Sequence, residues 1–128
     1  MSGPGDDGFR NNLPLSRAAR RVPGLRHIDI DLVQWCRRCR EPEVYIEATS
    51  AAEKNTQVTR ILASHAGAPT ILLRHAYDDR ELEHPVHIYL WEPGKVERHD
   101  EPDQEIINTT WKKFQEVLLW LHRKHECE

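Results

Sequence analysis

Three carboxylates fall in two short β-prone runs: Asp29 and Asp31 alternate with Ile28, Ile30 and Leu32, and Glu47 follows within the run Glu43 to Thr49. The period of two along a strand puts Asp29 and Asp31 on one face, opposite the apolar residues. With the Glu47 run alongside, the three acids can converge on a hard divalent cation, magnesium or manganese, whose charge offsets their repulsion. The competing reading is an ordinary hairpin whose acids face water.

Cations follow close behind. Lys54, Gln57 and Arg60 lie at helical spacing, so their side chains share one broad side and can meet a phosphate. Arg26, Arg37 and Arg38 are further candidates for contact with a DNA backbone. They belong to a basic N-terminal stretch: residues 1–40 hold eight basic and four acidic residues, whereas 41–128 hold ten basic and seventeen acidic. The formal charge of −3 gives no global reason to expect nucleic acid, but this asymmetry leaves room for a local phosphate-facing patch. Solvated surface charge explains the same residues without a ligand.

The turn Cys36-Arg37-Arg38-Cys39 carries two thiols at a spacing that can begin a zinc site. Two ligands are incomplete, and His122, His125 or Cys127 complete the set only if the C-terminus folds back across the hairpin. Packed thiols are therefore preferred over zinc, and redox chemistry over neither.

The elements that must position these residues are read from periodicity and breakers. Met1 to Asn12 reads as a leader and Leu13 to Arg21 as a short helix ended by Pro23-Gly24. Alternation predicts a strand over 26–35, a polar turn over 36–42, and a second strand over 43–49. Lys54 to Ala66 reads as a helix burying Val58, Ile61, Leu62 and His65, stopped by Gly67 and Pro69. Thr70 to His75 and Val86 to Trp91 read as strands, with Pro93-Gly94 as a turn. A last helix is expected from about Pro102 to Lys124, its apolar face formed by Ile107, Trp111, Phe114, Leu118 and Leu121. Trp111, Phe114 and Trp120 are expected to complete the core, with a homodimer or other protein partner as the alternative.

The resulting order, β-β-α-β-β-α, predicts one α/β domain over 13–128: a compact mixed sheet with flanking helices. With 128 residues, 38% of them apolar and 30% charged, the chain can bury one core under a polar surface. Neither a membrane span nor a signal-peptide segment is evident, so a cytoplasmic location is expected.

The run Ile28-Asp29-Ile30-Asp31-Leu32, followed after a turn by Val44-Tyr45-Ile46-Glu47-Ala48-Thr49 and a helix, resembles the core of the restriction-endonuclease-like nucleases. Their signature is PD-(D/E)xK, and small phage-encoded members are the nearest in style. The resemblance spans roughly residues 26–75. It implies a restriction-endonuclease-like core in which Asp31, with Asp29 as its competitor, and Glu47 bind magnesium or manganese while a lysine assists phosphodiester hydrolysis. Thr49 stands at the lysine position and offers no cation. Lys54 is the replacement this resemblance points to, and a phage-infected bacterial cell is the setting it implies. If no replacement acts, the same fold serves as a DNA-associated or protein-interaction module.

Overall fold

The computed structural model describes residues 13–24, 26–28, 30–50, 54–75, 85–94 and 101–125. The leader expected over 1–12, Asp29 and Cys127 lie outside these residues. The chain divides into two units, Met1–Asp31 and Leu32–Glu128, a boundary that falls inside the segment expected to form one domain.

The first unit carries helix α1 (Leu13–Arg20), followed by a turn in which Gly24 takes a φ of 83° that a side chain would resist. The strand expected over 26–35 is shorter. Its described residues before Leu32 are not extended in a ladder, and Ile28 is exposed. Alternation makes a strand possible, but only a hydrogen-bonded partner makes it one.

The second unit is an α/β layer structure. Strands β1 (Leu32–Trp35) and β2 (Pro42–Thr49) form the expected antiparallel hairpin, with Leu32 opposite Ile46. The chain then crosses through α2 (Gln57–His65) into β3 (Thr70–His75), which runs parallel to β2, as such a crossover allows. Strands β4 (Pro85–Trp91) and β5 (Gln104–Thr110) continue antiparallel, giving a five-stranded mixed sheet in the order β1-β2-β3-β4-β5. Helix α3 (Trp111–Lys124) closes the described fold.

Strand β5 corrects the helix expected from Pro102. Ile106, Ile107, Thr109 and Thr110 are β-branched and suit a pleated surface, so this stretch joins the edge of the sheet. The helix starts only at Trp111, where the Thr110 hydroxyl accepts a hydrogen bond from the Lys113 N–H at 3.2 Å. Ile107 consequently sits half-exposed in a strand rather than on the helix face, and Trp120 is 45% exposed rather than in the core. Phe114 and Leu121 are the buried residues of α3.

The apolar core lies between the sheet and α3. Val44, Ile46, Ile71, Leu73, Val86, Ile88 and Leu90 meet Phe114 and Leu121 there, with Trp111 and Leu118 partly buried against them. Each such aliphatic side chain contributes about 1.5–3 kcal/mol when fully buried. Strand pleating sends Glu47, next to Ile46, to the other face, where α2 packs.

Helix α2 is turned relative to the expected apolar stripe. Thr59, Arg60 and Ala63 are buried, whereas Val58 and Leu62 are 49% and 40% exposed and His65 faces solvent. The polar residues win the sheet-facing positions because the sheet offers them partners: Thr59 meets a carboxylate, and the Arg60 guanidinium lies 5.2 Å from the Trp91 ring centre. Ala63 allows close approach.

Both edges of the sheet are irregular. The β1–β2 register shifts between Gln34 and Trp35, and the β4–β5 register shifts between Val86 and Ile88, close to Asn108 with its φ of 56°. Among the described residues no helix is long and apolar enough to cross a membrane.

Candidate functional site

Glu47 is the centre of the polar layer beneath α2. It is 1% exposed, on β2 where that strand pairs in parallel with β3, two residues before β2 ends. Burying a carboxylate in this way is costly unless its oxygens are satisfied. Each oxygen receives a separate donor: Lys54 Nζ donates to Oε1 at 2.8 Å and Thr59 Oγ1 donates to Oε2 at 2.6 Å. Lys54 also donates to the Ala48 carbonyl at 3.1 Å, which fixes the ammonium over the end of the strand.

Local structure explains why these groups meet. Lys54 comes just before α2, where the chain turns back from β2, and Thr59 lies in the helix's first turns on the buried side. Asn55 assists the helix start by accepting from the Gln57 N–H at 2.9 Å. Lys54 keeps a third of its side-chain surface in contact with solvent, so the pair has one buried and one accessible partner.

Arg60 is 2% exposed, and its Nε donates to Thr56 Oγ1 at 3.2 Å. It ties the helix to the sheet rather than presenting itself to an outside phosphate. Gln57 is half-buried, and Arg37 and Arg38 are exposed in the β1–β2 turn. Arg26 and Asp31 are exposed in the first unit.

Thr49 is half-buried and registers opposite Arg74 of β3, just as Glu47 registers opposite Leu72. Residues paired in register share a face, so Arg74 belongs to the same face as Glu47 and Thr49. Its guanidinium lies 5.7 Å from the Tyr89 ring centre. Thr59 and Arg74 were not singled out from the sequence. A threonine inside a helix carries no chemical signature, and an arginine in a β-prone run is placed only once the register is known.

The thiols of Cys36 and Cys39 lie at the opposite end of β2 from Glu47, in the turn that joins it to β1. They are joined there by His125, at the end of α3.

Comparison of the chain with protein-family models, curated proteins and solved structures finds no match.

Proposed function

We propose that the second unit carries a nuclease-like site for phosphodiester hydrolysis in DNA, built on a restriction-endonuclease-like core with Glu47 and Lys54 at its centre. The observation that carries the reading is the 2.8 Å bond from Lys54 Nζ to the buried Glu47 Oε1. An ammonium offset from the threonine at the expected lysine position reaches the acid from the start of the next helix, supplying the cation that Thr49 lacks.

Glu47 offers a hard cation one carboxylate of the several oxygen ligands it takes. Each Glu47 oxygen accepts one bond from the protein, and a carboxylate oxygen has capacity for a second interaction. Magnesium or manganese, when bound, would supply a Lewis acid at a phosphoryl oxygen. Within the chain itself, Thr59 holds the carboxylate plane, Glu47 orients the ammonium, and Lys54 stabilises charge that develops on the phosphate. Arg74, on the same sheet face, adds a second cation for the backbone.

The test is magnesium- and manganese-dependent cutting of labelled duplex, nicked and branched DNA by the starting protein and by Glu47→Gln, with folding checked for both. Cutting that is lost in the variant supports the proposal. Equal cutting by both proteins sinks the role of Glu47.

A second reading is favoured by one fact: at 1% exposure, with both oxygens bonded, Glu47 is also a complete internal ion pair. In that case the unit is a DNA-associated or protein-interaction module, and none of the substrates is cut with either metal.

A further inference from the structure

We infer that Cys36, Cys39 and His125 form a zinc site that fastens the C-terminal end of α3 to the β1–β2 turn. Their ligand atoms all lie within 4.8 Å of one another, and Cys39 Sγ is 3.2 Å from His125 Nε2. A tetrahedral zinc, with Zn–S about 2.3 Å and Zn–N about 2.0–2.1 Å, sets neighbouring ligand atoms about 3.3–3.8 Å apart. The cluster thus approaches ligand spacing and needs small side-chain adjustment to reach it.

The scaffold is built for convergence. The turn is closed at both ends by backbone bonds, Cys36 N–H to the Glu41 carbonyl at 2.9 Å and Arg40 N–H to the Cys36 carbonyl at 2.8 Å. Arg40 takes a φ of 64°, which reverses the chain directly after Cys39. His125 is the C-cap of α3: its N–H donates to the Leu121 carbonyl at 3.0 Å, so the imidazole is carried on an anchored backbone.

The choice between the two histidines near this end of the chain is also set by geometry. His122 Nδ1 lies 2.9 Å from Glu43 Oε2, while Gln34 Nε2 donates to Glu43 Oε1 at 2.8 Å. His122 is thereby engaged with a buried acid, and His125 is the one brought to sulfur.

Two thiols and an imidazole favour zinc over magnesium, since soft sulfur ligands select a borderline ion. These three protein ligands leave the fourth tetrahedral position to water or another donor.

A cross-link here joins residues 86 positions apart. Metal held only by the folded chain adds its binding free energy to stability. The site is independent of Glu47 and of any nuclease activity.

The experiment uses the full chain, reduced and stripped of metal, titrated with zinc alone and with cobalt as a spectroscopic substitute. One metal per chain is expected, with thiolate-to-cobalt charge-transfer absorption and a melting temperature raised by zinc. Cys39→Ser and His125→Ala should lose the absorption and the thermal shift, whereas Glu47→Gln should keep both. Because Cys39 is only half-buried, its serine variant is the one expected to fold without metal, as far-ultraviolet circular dichroism reports. Absence of stoichiometric uptake by the reduced starting protein overturns the proposal, as does uptake undiminished in folded Cys39→Ser and His125→Ala.

Discussion

Lys54 Nζ and Glu47 Oε1 lie 2.8 Å apart, an ion pair between the start of one helix and the end of the strand before it. Its acid is buried and its base a third exposed, so the two residues are unequal in what their loss would do. Removing the base leaves a buried carboxylate with one of its two donors gone.

Lys54→Met should therefore lower stability by about 1–3 kcal/mol, the desolvation penalty of a buried group that loses its partner. Urea unfolding followed by circular dichroism measures this. If DNA is cut by the starting protein, the same variant should lose most of that cutting. Lys54→Met as stable as the starting protein would show that the pair does not hold the helix start to the strand.

Thr59 donates to the other oxygen at 2.6 Å. Thr59→Val keeps the shape and removes the hydroxyl, at an expected cost of about 1–3 kcal/mol. Thr59→Ser should recover most of this, since it restores the donor and loses one methyl group. A valine variant no weaker than the serine variant would contradict the bond's contribution.

Thr49→Lys tests whether the cation is already in place. With Lys54 bonded to Glu47, a second ammonium at Thr49 should not increase cutting of DNA. A rise in rate in folded Thr49→Lys would show that Lys54 does not replace the missing lysine.

The rotation of α2 gives a further check. Val58→Ser and Leu62→Gln lie on its exposed side and should change stability by no more than about 0.5 kcal/mol. Ala63→Leu, on the buried side, should cost about 1–3 kcal/mol through overpacking. Large losses from the first two and none from the third would place the helix the other way round.

How much was legible in the sequence depended on whether the deciding information was local. The strand Thr70–His75 reads directly because Gly67 and Pro69 end the preceding helix and a β-prone run follows. The β1–β2 hairpin is equally local. The orientation of α2 is not: Val58, Ile61 and Leu62 look like a buried stripe until the sheet beneath supplies Glu47 and Trp91 as partners for Thr59 and Arg60. Strand β5 was hidden because the acids near Pro102 suit a helix start, while the β-branched residues that oppose a helix come slightly later. The possible convergence of Cys36 and Cys39 with the C-terminal histidines was legible as a condition, that the end of the chain return to the turn. Only the fold decides between His122 and His125.

The register shift at Val86/Ile88 sets two steps on β4 against three on β5, so the extra residue lies on an outer strand, and the other outer strand, β1, spans only four residues. An outer strand with an unbroken row of amides is a template on which another chain can polymerise. Leu32, Trp35 and Ile107, all exposed on those strands, would make such stacking adhesive. The bulge kinks the β5 template and the short β1 offers little length for pairing, so among the described residues neither border is both long and flat.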